Sequence, residues 1–193
     1  GSGSGNVTSN TVIGKTAFVS NTTGHDNVAI GNNALYSNDT AYRNIAIGTN
    51  ALHSNTIGYQ NIGIGYSALY TNIEGDNNVA IGYKALDLAT GSNNQAIGRW
   101  ALKNTSTGTG NAAIGYNAGD TNSTGTNNIY MGYYADCASN NLSNSVAIGT
   151  NSQITKSDQI VLGKTTSPPD VYIPGNLGIG TTSPATSIDI VDT

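Results

Sequence analysis

The sequence predicts an all-β fold, a parallel β-solenoid with one repeat of ~17 residues per coil. Three observations predict it. First, a glycine recurs at Gly14, Gly31, Gly48, Gly65, Gly82, Gly98, Gly115, Gly132 and Gly149, at spacings of 17, 17, 17, 17, 16, 17, 17 and 17 residues. Second, most of these glycines close a large–small–large triplet such as Val28-Ala29-Ile30, the period-two pattern of a strand. Third, 27 Asn, 25 Gly, 24 Thr and 18 Ser make up 94 of the 193 residues, while only 9% are charged. Ordinary domains carry roughly 25% charged residues. Lys, Glu, Arg and Leu are too scarce here to build solvated amphipathic helices.

Each element of the repeat has a physical reason. Four residues before the glycine stand Asn10, Asn27, Asn44, Asn61, Asn78, Asn94, Asn111 and Asn128, a column of turn formers. Identical residues on successive coils stack about 4.8 Å apart, so these amides can form side-chain ladders. The triplet follows as a short strand, whose large residues are expected to pack a core while its small residue faces outward. The glycine then takes a backbone angle that other residues resist. Three residues beyond it runs alanine without a break from Ala17 to Ala135, and four beyond it stand Phe18, Leu35, Leu52, Leu69, Leu86 and Leu102. Extended, ~17 residues cover about 56 Å, which suits a flattened coil of two short strands and two turns. The stack as a whole predicts a rod roughly 50 Å long.

The register shortens toward the end, where Val146-Ala147-Ile148-Gly149 is followed 14 residues later by Gly163. Proline cannot donate to a ladder, so Ser167-Pro168-Pro169 interrupts the pattern. The sequence thus divides into a Gly/Ser linker at 1–5, a solenoid at 6–163 and a neck or stem at 164–193 that ends in a strand-like Ser187–Val191.

Several functions are disfavoured. With 7 Lys+Arg against 11 Asp+Glu and a net charge of −4, the chain lacks the clustered cations that neutralise nucleic-acid phosphates. It contains no run of 18 apolar residues that would span a membrane, and no charged-then-apolar opening of a signal peptide. Cys137 is alone, so neither a disulfide framework nor a cysteine metal site is expected. No cofactor or metal is expected either: His25 and His53 occupy different columns, and the turns offer Asn and Thr where a calcium loop wants regularly spaced Asp.

The asparagine-(Val/Ile)-Ala-Ile-Gly repeats resemble those in the heads of trimeric autotransporter adhesins. The fuller form, as in Asn77-Asn78-Val79-Ala80-Ile81-Gly82-Tyr83, resembles repeats in tail fibres and spikes of phages and large viruses. Gly175-Asn176-Leu177-Gly178-Ile179-Gly180-Thr181-Thr182-Ser183-Pro184 is similar to the stretch that precedes a self-cleaving chaperone in many phage fibres. The resemblance implies a homotrimer of left-handed β-rolls carried on an attachment fibre of the virion. Its implied partners are sister chains, adjoining fibre domains and a host-surface receptor, a glycan or a protein. The ~17-residue period departs from the 14–15 usual in adhesin heads.

Two sets of residues are candidates for these roles. A thin core invites assembly, and Ala29, Ala46, Ala80, Ala96, Ala113 and Ala147, read as an exposed small-residue column, are the expected trimer interface. Tyr66, Tyr83, Tyr116 and Tyr133 stand directly after the glycine, interrupted by Arg99-Trp100. Rings beside Asn and Thr offer sugars an apolar platform with hydrogen bonds, although such rings also simply cover coil corners. Tyr36, His53 and Tyr70 form a similar set five residues after the glycine. The alternative is a polysaccharide depolymerase with a carboxylate pair such as Glu74 and Asp76, against which stands the plainer reading of both as solvated turn residues. No catalytic residue is assigned. Ice binding would need a repeating Thr-x-Thr column, and Thr105-x-Thr107-x-Thr109 occurs once.

Overall fold

The computed structural model describes residues 9–164. Apart from Lys164, the neck expected at 164–193 lies outside the described residues, as does the linker at 1–5. Twelve strands follow in order: β1 (Thr11–Ile13), β2 (Val28–Ile30), β3 (Ile45–Ile47), β4 (Ile62–Ile64), β5 (Val79–Ile81), β6 (Gln95–Ile97), β7 (Ala112–Ile114), β8 (Ile129–Met131), β9 (Asp136–Cys137), β10 (Val146–Ile148), β11 (Gln153–Ile154) and β12 (Ile160–Leu162). No helix occurs among the described residues. All of these except β9 and β11 form one ten-stranded parallel sheet in chain order, which is a solenoid of about nine coils. The register is in phase with the repeat: Val28 pairs Ile45, Ala29 pairs Ala46 and Ile30 pairs Ile47. The shortened coil keeps phase as well, with Val146 opposite Ile160.

The triplet is turned the opposite way from the expected one. Ala29, Ala46, Ala80, Ala96 and Ala147 are fully buried and Ala113 is 1% exposed, all within the single chain. Their large neighbours face out: Ile97, Ile114, Met131 and Ile148 are 38–47% exposed. The alanine column is therefore core, not a surface on which a sister chain can pack. Space is the reason. The interior is already filled by Phe18, Leu35, Leu52, Leu69, Leu86 and Leu102, all fully buried, and by the second alanine column. A Cβ added at Gly63, in the same small column, would lie 3.1 Å from the Ala68 carbonyl oxygen and 3.2 Å from Leu52 Cγ. A Val or Ile has no room there.

Most coils also hold one strand rather than the expected two. The leucine corner is too tight for a second strand, because Phe18 and the five leucines adopt φ of 49–56°. Such left-handed angles cost non-glycine residues about 1–2 kcal/mol, and here burial of each leucine, worth about 1.5–3 kcal/mol, offsets that strain. At the strand's end the column glycines are obligatory. Gly31 has φ of +137°, and a Cβ on it would lie 2.5 Å from the Gly48 carbonyl oxygen. Among the described residues, a second strand appears only where the leucine column has lapsed, in the pair β9–β11.

Asparagines close the ends of the leucine stack. Asn61 is fully buried. Its Nδ2 donates to the Gly75 carbonyl at 2.7 Å, and its Oδ1 accepts the Asn78 amide at 2.9 Å. One side chain thus satisfies backbone groups that lie outside any strand, and the pattern repeats at Asn27, Asn44, Asn78, Asn94, Asn111 and Asn128. The expected amide ladder is found at a second column. Asn72 donates to Asn55 at 2.7 Å and Asn38 to Asn21 at 3.0 Å. Ala89 ends that ladder, so Asn72 Oδ1 has no donor among the described residues.

Candidate functional site

The aromatic side chains are set by the same stacking. A residue in a given column recurs one coil further along, so aromatics in one column meet ring over ring. Three ladders result. Tyr36, His53 and Tyr70 stack with centroids 5.0 and 4.9 Å apart. Tyr66 and Tyr83 stack at 5.2 Å, and Tyr116 and Tyr133 at 5.3 Å. Trp100 turns between the two pairs, 6.3 Å edge-on to Tyr83 and 5.5 Å from Tyr116. The sequence-predicted Tyr66, Tyr83, Trp100, Tyr116 and Tyr133 therefore come together as one ladder, of which Tyr66, Tyr83 and Tyr133 are 43–53% exposed.

Arg99 holds the column position that Trp100 leaves. Its guanidinium lies 4.0 Å from the Trp100 ring centroid, 5.4 Å from Tyr83 and 5.9 Å from Tyr116. This cation–π contact bridges the break in the ladder. Tyr134 packs edge-on against Tyr133 at 4.7 Å, and its hydrogen bond with Tyr116 raises its phenol pKa.

The third ladder, His25, Tyr42 and Tyr59, escaped the sequence reading. Its centroids lie 5.2 and 5.1 Å apart. The signal was present in the spacing of 17 from His25 to Tyr42 to Tyr59, but the column lies in the variable turn, away from the triplet that defines the repeat. His25 Nδ1 pairs with Asp26 Oδ2 at 3.0 Å, a hydrogen bond that lowers the Asp26 carboxyl. Burial lowers His53, which holds that ring neutral in its stack.

Stacking decides what these rings offer a ligand. Inside a ladder each ring covers the face of its neighbour, so inner rings such as His53 present edges. A free face remains only where a ladder stops or is broken. The carboxylates considered for hydrolysis are otherwise engaged or separate. Asp76 Oδ1 accepts the Tyr59 amide at 2.9 Å, as a turn residue does, while Glu74 is exposed on the same turn. The Cys137 thiol is 1% exposed and pushed by burial up to about 11, which makes it an unreactive core residue. Among the described residues, no group of three or more His, Cys, Asp or Glu is placed to hold a metal ion.

Along one side of the rod the sheet presents a second feature. Ile13, Ile47, Ile81, Ile97, Ile114, Met131, Ile148 and Leu162 are 36–60% exposed in a single column. Val28, Ile45, Ile62 and Val79 line the parallel column, which Gln95 interrupts. An apolar face that runs the length of a ten-stranded sheet is far more contiguous than isolated surface side chains. Comparison of the chain with protein families, with curated proteins and with solved structures finds no match.

Proposed function

We propose that the chain is a structural and receptor-binding segment of a viral or phage attachment fibre, displayed on the virion and recognising a host-surface glycan or protein. In this reading it works as a homotrimer of left-handed β-rolls joined to adjoining fibre domains, and it is not an enzyme. The observation that carries the proposal is the unbroken Ile-rich column along the outer face of the sheet. Face and rod run in the same direction, so three chains side by side about a common axis can cover it along its whole length. Trimer number and handedness follow from the resemblance of the repeats. The interface is then the Ile81, Ile97, Ile114 and Ile148 column, in place of the alanine column first expected.

The aromatic ladders support the recognition half of the proposal. Three columns of rings on a stiff, weakly charged rod are the kind of surface that binds amphipathic, uncharged ligands such as sugars. The test couples molar mass by light scattering to binding on a glycan array and to host-cell surfaces. A trimer that binds either surface is expected. A stable monomer that binds neither would remove the proposal, and new reducing ends released from capsular polysaccharide would favour a depolymerase instead.

A further inference from the structure

Two of the ladders overlap in a single coil, where one ends and the other begins. The Tyr36–His53–Tyr70 ladder ends at Tyr70, because the next residue in its column is Asp87. The ladder one residue after the glycine begins at Tyr66, because the preceding residue in its column is Thr49. The coil that starts at Gly65 is thus the one coil among the described residues with an aromatic ring in both columns. At this overlap lies an open groove of about 320 Å³, at the lower end of ligand-pocket sizes, walled by Tyr66 and Tyr70. Ser67, Thr71, Lys84 and Asp87 supply its polar lining, with the Asn50 amide on the side of the preceding coil.

We infer that this groove binds one neutral pyranose ring of a glycan, which stacks on the free face of Tyr70 in the place of the missing ladder rung beside Asp87. The inference deepens the proposed attachment function and rests on it. Three observations carry it. Tyr70 has a stacked ring, His53, on one face only, and it borders the groove together with Asp87 of the next coil. Asp87 is shorter than the aromatic rungs before it, and its side chain is only 10% exposed, so the step from Tyr70 to the next coil leaves space for a flat ring. The polar groups are matched to hydroxyls rather than to charge. Lys84 Nζ lies 3.3 Å from Asp87 Oδ2, and this pair cancels its own charge. An ammonium has three donors, so Lys84, its side chain 32% exposed, retains donors toward ligand hydroxyls while Asp87 holds it in place. A wholly apolar ligand would strip water from this pair without compensation. A charged sugar would meet no net opposite charge.

The site is therefore single, whereas a platform along the whole ladder would take several sugars. Titration of the intact chain with methyl β-galactopyranoside, methyl α-glucopyranoside and methyl α-mannopyranoside, with sialyllactose as the anionic comparison, distinguishes the two. Saturation-transfer NMR and calorimetry read the binding. One bound neutral glycoside per chain is expected, with sialyllactose no tighter. Tyr70→Ala should weaken binding about tenfold, the loss of one aromatic stacking contact. Asp87→Tyr should continue the ladder and abolish binding while leaving the thermal melt unchanged or higher. Ile57→Ala, exposed in a turn outside the ladders and outside the groove, should have no effect. Glycoside binding that survives both Tyr70→Ala and Asp87→Tyr would overturn the groove but leave glycan attachment standing. Absence of binding by all three neutral glycosides would overturn the groove even if the chain still adheres to host cells.

Discussion

Asparagine does work in this chain that backbone ladders do elsewhere. The turns between successive triplets leave amides and carbonyls that point neither to water nor along a strand, and Asn61 answers one of each on the next coil. An unsatisfied buried polar group costs about 1–3 kcal/mol. Asn61→Ala orphans the Asn78 amide, while the Gly75 carbonyl keeps the Asn72 side chain at 2.9 Å, and the loss should be about 1–3 kcal/mol in urea unfolding. Asn104→Ala provides the comparison. Its side chain also reaches the next coil, at 3.1 Å to the Asp120 carbonyl, but it is half-exposed, so water replaces the bond and the loss should stay below about 1 kcal/mol.

At the scale of the element, β8 shows how one coil absorbs a misfit. Tyr130 occupies the small-residue column and is fully buried. The room comes from the neighbouring corner, where the leucine column lapses to Gly119. A Cβ on Gly119 would stand 2.7 Å from Tyr130 Cδ2. Gly119 keeps the left-handed φ of the leucines, at 68°, so leucine fits that backbone once the ring is gone and the Leu102 methyl, 2.7 Å from where its Cβ would stand, rotates aside. Tyr130→Ala alone should cost about 3–5 kcal/mol through the cavity it leaves, and Gly119→Leu alone should be destabilising through overpacking. Together they restore the common pair of the repeat, and the double variant should recover most of the sum of the two losses in a double-mutant cycle. Additive losses would mean that the two positions are not coupled.

The neighbouring β9 brings a carboxylate into the same region. Burial raises Asp136 above its ordinary 3.8, although Thr121 donates to it from Oγ1 at 2.7 Å and from its amide at 3.1 Å. A raised carboxylate holds its proton more tightly in the fold than in the unfolded chain. The stability this contributes is fully present below about pH 3.8 and is lost as pH rises through the raised value. Asp120 is shifted upward by burial as well. Asp136→Asn cannot ionise, so its melting temperature relative to the parent should improve between pH 4 and pH 7. A constant difference across that window would show that ionisation of Asp136 does not oppose folding.

Over the whole molecule, the coil interior and the sheet's outer face have separate tasks. Leu35, Leu52, Leu69, Leu86 and Leu102 hold each chain together, while Ile97, Ile114 and their column are left over. In the proposed assembly, Ile97→Glu with Ile114→Glu places like charges along the common axis and should shift the chain from trimer to monomer by sedimentation, with its far-ultraviolet signal kept. Ala96→Leu, on the inner side of the same strand, should disturb the fold itself. If the glutamate pair leaves molar mass unchanged, the isoleucine face is not the interface. The two ends of the sheet, β1 and β12, stay open as unpaired edges among the described residues, and such edges ordinarily need cover. Adjoining fibre domains would provide it.

The sequence by itself determined the coil length, the parallel register and the placing of glycine and asparagine, because each depends on a residue's own backbone or amide chemistry repeated at a fixed spacing. It also placed the aromatic columns, apart from His25–Tyr42–Tyr59 in the variable turns. Which side of the triplet faces inward was decided only by the tertiary structure. Alternation says that a strand has two unlike faces, and Ile-Ala-Ile reads equally well with either face inside. The leucine and second alanine columns, arriving from the far side of the coil, fill the interior and, in the inner coils other than that of Tyr130, leave room for nothing larger than a methyl group. The isoleucines are turned out by exclusion, and the rings, held face to face by the coil rise, keep free faces only where a ladder breaks.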